Sequence, residues 1–191
     1  MKVQRGFSMI EIVVTIAIMG ILMATAAPGM GDWLRNTKVR NAAESIQSGL
    51  QQARAEAVRR NRPVSFSLVS TMDNTCALSS ANGSWVVSGD ANPASHCGDA
   101  ISSTVAPKLV AKGAMSDGGS AVVAATNAAG TAATTVTFNG FGMVSGASAI
   151  QRILVKSSDD AYQRRVEITT GGVSRVCDPT IMAGDTRACI Q

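Results

Sequence analysis

The sequence predicts an α+β chain in which one long N-terminal helix, apolar in its first half and amphipathic in its second, packs on an antiparallel β-sheet domain. Three observations carry this expectation. Residues Gly6 to Pro28 read GFSMIEIVVTIAIMGILMATAAP, an apolar run interrupted near its start by one carboxylate, Glu11. Apolar residues then recur at intervals of three and four as far as about Asn61, one face of a helix. After Pro63 the apolar period becomes two, the mark of strands.

The helix begins behind a short leader, MKVQRG, with two positive charges and a terminal glycine. The apolar run that follows is long enough to cross roughly 30 Å of hydrocarbon. An acidic side chain within hydrocarbon costs on the order of 3 kcal/mol on insertion scales, so Glu11 needs a partner or a purpose. Ala24, Ala26 and Ala27 before Pro28 resemble the small-residue cleavage site of a secretory signal. Against a simple signal stand the length of the run, Glu11 within it, and its continuation into an amphipathic helix. In that continuation Val39, Ala42, Ile46, Leu50, Ala53 and Ala57 form one face, and the charged residues from Asp32 to Arg60 occupy mostly other positions. Pro63 supplies a stop. Phe7 to about Asn61 therefore reads as one helix, roughly 80 Å long at 1.5 Å per residue. Pro28, with Gly29 and Gly31 beside it, should kink or locally melt it.

In the β domain Val64, Phe66 and Leu68 alternate with serines, as a half-buried strand would. Further strands are expected at Trp85–Val87, Ala121–Ala125, Thr134–Phe138, Ile150–Lys156, Arg164–Thr169 and Val173–Cys177. Around two of these, Ser79–Asp99 and Gly113–Gly130 are rich in Gly, Ser, Ala and Asn and read as loop. Short turns at Ser157–Ala161 and Gly171–Gly172 join the last three strands, predicting an antiparallel meander. No internal repeat and no second globular domain is evident.

Composition limits the function. The chain has 191 residues, is 46% apolar but only 4% aromatic, and carries +4, which falls to +2 without the leader's Lys2 and Arg5. Its basicity alone is weak evidence for a polyanionic partner. Cys76, Cys97, Cys177 and Cys189 contain no C-x-x-C pair, which argues against a zinc knuckle or thioredoxin-type motif. An even number of cysteines beyond a membrane segment favours disulfides in an oxidising compartment. Three connectivities are open, and local proximity favours Cys76–Cys97 with Cys177–Cys189. His96 is the single histidine, beside Cys97 with Asp90 and Asp99 nearby, and reads as a surface loop residue rather than part of a metal site. No catalytic triad or acid/base pair is visible, and no enzyme, cofactor or metal is expected.

Gly6-Phe7-Ser8-Met9-Ile10-Glu11, behind its basic leader, resembles the processing site of the type IV pilin and pseudopilin family. The resemblance implies the type IV pilin fold. It also implies cleavage between Gly6 and Phe7 by a prepilin peptidase, N-methylation of Phe7, and pairing of the new amine with Glu11, within one chain or between neighbouring subunits. It partitions the chain into a cleaved leader (1–6), a transmembrane and filament-core helix (7–28), its amphipathic continuation (29–62) and a β-rich periplasmic head (63–191). Lys2 and Arg5 hold the N-terminus inside, so the head faces outward from the inner membrane.

Two phrases narrow the resemblance to the FimT/FimU and H-type pseudopilin branch. One runs Val136-Thr137-Phe138-Asn139-Gly140-Phe141-Gly142, then Arg164-Arg165-Val166-Glu167-Ile168, then a Gly-Gly turn and a strand ending at Cys177. The other is Leu50-Gln51-Gln52-Ala53-Arg54-Ala55-Glu56-Ala57 before a basic patch and Pro63. Together they imply a minor pilin of FimU or FimT type that initiates or caps a type IV pilus. An H-type pseudopilin of type II secretion and a DNA-binding minor pilin for transformation are the alternatives. The partners implied are the peptidase, other minor and major pilins or pseudopilins, and the inner membrane. Nucleic acid is less favoured. FimT-type members that bind DNA carry Gly-Arg-x-Arg at the last β turn, where this chain has Gly172-Val173-Ser174-Arg175. The cations available for phosphates would be Arg152, Lys156, Arg164, Arg165 and Arg175, with Arg187, if they share one sheet face. Tyr162 is the single tyrosine, so stacking platforms are scarce.

Overall fold

The computed structural model describes residues 7–115 and 121–190, with side chains throughout except those of residues 24–29. The leader with Gly6 lies outside the described residues. The helix continues through Pro28 without melting there, and the side chains of residues 24–29 lie outside the described ones.

The elements in chain order are α1 (Met9–Arg60), β1 (Val64–Val69), β2 (Ser84–Ser88), β3 (Leu109–Gly113), β4 (Ala121–Thr126), β5 (Thr135–Phe138), β6 (Val144–Ser145), β7 (Arg152–Ser157), β8 (Gln163–Ile168) and β9 (Ser174–Cys177). The chain falls into two compact units, one ending at Arg35 and one beginning at Asn36.

The first unit holds the start of α1. The Ser8 carbonyl accepts hydrogen bonds from the Glu11 and Ile12 N–H groups, at 3.0 and 3.3 Å, which closes the first turn. Twelve large apolar side chains between Phe7 and Met23 are exposed, at 50% or more of their surface. Among the described residues, no helix is long and apolar enough to cross a membrane.

The second unit is an α+β head in which the rest of α1 packs against two antiparallel sheets, ordered β3-β2-β1-β5-β6 and β4-β7-β8-β9. The sequence suggests one sheet, and the structure divides it. Consecutive pairing of β7, β8 and β9 gives the meander expected from their short turns. One core joins the inner faces of both sheets to Val39, Ala43, Ile46, Leu50, Ala53 and Ala57 of α1. These helical positions alternate steps of four and three, a continuous stripe. Ala42, expected on this face, is half-buried at its margin, and Ala43 takes the buried place. Small residues let the strands lie close to the helix. A Cβ at Gly49 would stand 2.8 Å from both Phe66 and Trp85, whose rings stack with centroids 5.8 Å apart. The Trp85 indole N–H donates to Ser45 Oγ at 3.1 Å.

The helix stops before Pro63. Asn61 adopts φ 48°, its N–H bonds the Val58 carbonyl, and the Arg62 N–H bonds the Ala57 carbonyl. This is a Schellman end with asparagine in the left-handed position.

β1 is buried on both faces rather than half-buried. Its serines meet threonines of β5 in hydroxyl pairs, Ser65 with Thr137 at 2.9 Å and Ser67 with Thr135 at 3.0 Å. Behind them a smaller apolar cluster of Val69, Val86, Leu109 and the Cys76 and Cys97 sulfurs covers the outer face. The sequence gives no sign of β3 or β6. Leu109–Gly113 is an edge strand paired with β2 alone, and Val144–Ser145 is two residues long. β2 and β4 stand where strands are expected, at Trp85–Val87 and Ala121–Ala125.

Candidate functional site

Two regions hold the residues to which the sequence assigns a role. The first is the helix start. Glu11 sits in the first turn of α1 and is exposed, three residues beyond Ser8. Ser8-Met9-Ile10-Glu11 has the spacing of a capping box, a signal that the apolar reading of this stretch passes over. A carboxylate here is favoured by the positive end of the helix dipole. Phe7 precedes the helix with 81% of its surface exposed.

The second region is the outer face of β7-β8-β9. Register sets Arg152, Glu167 and Arg175 side by side across three strands. Strand alternation puts Lys156 and Arg165 on that face too. It puts Arg164 on the opposite face with Val166, so the five cations do not share one side.

Nor are most of them available. Glu167, buried to 7% exposure, lies between two guanidiniums, Arg165 at 2.9 Å and Arg175 at 3.0 Å. It also accepts the Ile190 N–H at 3.1 Å. Arg164 pairs with Asp178 at 2.8 Å and Lys156 with Asp160 at 2.7 Å. Arg187 pairs with Asp185 at 2.8 Å. Of the five, only Arg152 has no side-chain partner among the described residues.

The C-terminal tail completes this arrangement. Arg165 donates to the Ile190 carbonyl at 3.2 Å and Arg175 to the Ala188 carbonyl at 3.0 Å. A disulfide joins Cys177 at the end of β9 to Cys189 in the tail, and a second joins Cys76 to Cys97. The Glu167 carboxylate and the Cys177 and Cys189 sulfurs lie within 4.8 Å of one another. The sulfurs are bonded together and the carboxylate is held by two guanidiniums, so the trio is a clasp and not a ligand set.

Local charge holds the tail's acids ionised. Burial works to raise Asp178, but the Thr180 hydroxyl and N–H, with Arg164 and Arg187, outweigh it and keep the carboxyl below its ordinary range. Hydrogen bonds from Arg187 bring Asp185 down to about 2. His96, far from this face in sequence, bonds Asp99 at 2.8 Å within an exposed loop, and Asn74 holds the other carboxylate oxygen.

The β8–β9 turn meets the helix and the β5–β6 loop. Arg54 reaches the carbonyls of Gly142 at 3.1 Å and Gly171 at 3.3 Å. Gly172 has φ +77°, and a Cβ there would stand 1.9 Å from the Gly142 oxygen. Val173, which occupies the first arginine position of the Gly-Arg-x-Arg pattern, is half exposed. Arg54 is a residue that the sequence reading placed only in a helix phrase, because nothing local signals its carbonyl partners.

Comparison with known proteins decides the family. Residues 42–172 match the family model described as type II transport protein GspH. The chain belongs to that family. Residues 1–27 of this GspH-family chain also match the prokaryotic N-terminal methylation motif. The two matches make it a type IV pilin-like minor pilin or pseudopilin, a class of structural components. Two fimbrial proteins of Pseudomonas aeruginosa are 36% identical to it over 64 residues, 34% of this chain and 41% of theirs. The GspH-family chain thus spans about 41% of the length of the curated relatives it matches. Two crystal forms of the Pseudomonas aeruginosa type IV minor pilin FimU align with TM-scores of 0.47 and 0.41, at 15% and 16% identity. They cover 73% and 72% of this chain and 88% and 90% of those chains.

Proposed function

We propose that the chain is a minor pilin that initiates or caps assembly of a type IV pilus after a prepilin peptidase cuts between Gly6 and Phe7. The observation that supports this reading is the apolar surface of Phe7–Met23, exposed on all sides of the helix with Glu11 in its first turn. Full burial of side chains of this kind stabilises by about 1.5–3 kcal/mol each. The surface therefore has to be covered, first by lipid and later by the helices of neighbouring subunits.

In this mechanism Lys2 and Arg5 keep the leader cytoplasmic, the helix crosses the bacterial inner membrane once, and the head is periplasmic. Residues 1–6 are removed, 7–28 enter the filament core, 29–62 continue the helix into the head, and 63–191 present the outer surface. Cleavage creates an amine at Phe7, which N-methylation leaves cationic. In lipid the Glu11 carboxylate costs about 3 kcal/mol. In a helix bundle the amine of an adjacent subunit offsets that cost and fixes the axial register. The partners are the peptidase and other minor and major pilins.

The fimbrial relatives support the pilus. The description of the matched family, type II transport, favours a second reading, the H-type pseudopilin of a type II secretion filament. Deleting the gene separates the two, since loss of surface pili supports the first and retention of secreted proteins in the periplasm supports the second. Both readings require the mature protein to begin at N-methylated Phe7, which mass spectrometry of the N-terminal peptide would detect; a start near Pro28 would end both. Glu11→Val should be processed normally yet fail to enter filaments, and unimpaired assembly would remove the pairing argument.

A further inference from the structure

Most cations of the head are matched. Arg40 pairs with Glu44, Arg59 and Arg60 share Glu56, and the sheet arginines and Lys156 have the acids already named. Lys112 is held by the carbonyls of Cys97, Gly98 and Asp99, at 3.0, 3.2 and 2.9 Å. Arg62, Lys108 and Arg152 stand apart, with no side-chain partner among the described residues. Two of these three, Arg62 and Lys108, line the same recess.

That recess has a volume of about 450 Å³ and is walled by Arg60, Arg62, Val64, Gly89, Ser103 and Lys108, with Pro63 between Arg62 and Val64. No carboxylate lines it. Asp90 follows Gly89 in the chain but is not in the wall, and Glu56 is occupied by Arg59 and Arg60. Two backbone features build the site. The left-handed Asn61 turns the chain at the helix end and delivers Arg62, and Lys108 itself has φ 58°. The Gly89 N–H bonds the Lys108 carbonyl at 3.1 Å, which fastens the lysine's backbone against β2's exit. Lys108 is half-buried, its aliphatic stem lying against Gly89.

We propose that this recess binds a phosphate group, with Lys108 Nζ and the Arg62 guanidinium as its ligands. The two cations come from separate segments, the exit of α1 and the loop before β3. That arrangement suits the tetrahedral oxygens of a phosphate dianion better than the planar fork of one carboxylate. The wall offers a serine hydroxyl as a further donor and no aromatic face, so a base or other flat apolar ligand has nothing to stack on. The recess is independent of the filament reading, and its test does not depend on assembly.

The test is calorimetric titration of inorganic phosphate into the full-length chain in detergent micelles at low salt, where charge screening is weakest. Saturable binding is expected, weakened about tenfold by Lys108→Gln and by Arg62→Gln, each removing a charge-assisted bond. Arg152→Gln, which deletes the other unpartnered cation away from the recess, should leave affinity unchanged. Unliganded melting midpoints identify any variant that fails to fold, and Arg62→Gln then decides alone. Glycerol phosphate binding as tightly as inorganic phosphate would support the proposal with an esterified source, and much weaker binding of it would support the free ion. No saturation at low salt, equal weakening by Arg152→Gln, or malonate binding as tightly as phosphate would overturn the assignment.

Discussion

The two stretches of α1 are built from the same kinds of residue and put them to opposite use. Between Phe7 and Met23 twelve large apolar side chains are uncovered by the chain itself, whereas Val39, Ile46 and Leu50 further along the helix are at 1% exposure or less. Charge follows the same division. Glu11 has no acid or base beside it in its own turn, while Glu44, Glu56, Glu167, Asp178 and Asp185 in the head each meet a cation. The head buries its apolar residues and pairs these acids within one chain, and the described side chains of the first stretch do neither.

Substitutions that respect this difference should behave differently in the two stretches. Leu50→Ala should destabilise the head by about 2–5 kcal/mol, the range for truncating a buried leucine. Leu22→Ala, the same change in the exposed stretch, should leave the head's urea midpoint in place. A matching loss from Leu22→Ala would show that the first stretch is part of the head's core.

A smaller effect is expected on the outer sheet face. Glu167→Ala strands two guanidiniums that are partly open to water, and should cost about 2 kcal/mol once solvent screening is allowed for. Arg152→Ala on the same row should change the denaturation midpoint little, having no side-chain partner to lose. Equal effects would mean that the charge row acts as one network.

The smallest effect is that of acid on the tail. Asp178 and Asp185 have folded values below their ordinary ones, so they stabilise the fold above the ordinary value and lose that contribution as pH falls through the folded one. For Asp185 the window runs from 3.8 down to about 2. Thermal melts should therefore show no change from these groups between pH 7 and about 4 and a decline below. Asp185→Asn should flatten part of that decline.

How much of this was legible follows from the range of each interaction. The helix stripe is a pattern of spacing, and Val39, Ile46, Leu50, Ala53 and Ala57 could be read directly, with Ala42 misplaced by one position at the edge of the face. β3 was hidden because Leu109–Gly113 is short, follows Pro107 and ends in Lys-Gly, a composition closer to loop than strand. The matching of Arg165 and Arg175 to Glu167 depends on cross-strand register and on a tail that returns over the sheet, neither of which any local pattern encodes. The recess was invisible for the same reason, since Arg62 and Lys108 meet only through the turn after α1 and the packing of the loop before β3. Ser8 and Glu11 are separated by the spacing of a capping box, which the sequence also carries.

The contact at Gly172 has a consequence for how this surface can diverge. The turn belongs to one sheet and Gly142 to the loop at the end of the other, and Arg54 of the helix bonds carbonyls on both sides of the close approach. The joint leaves no room for a Cβ at Gly172. Phe141 and Val173, immediately outside it, both turn their side chains to the exposed surface. The surface can therefore be respecified for a new neighbour while the frame beneath stays fixed.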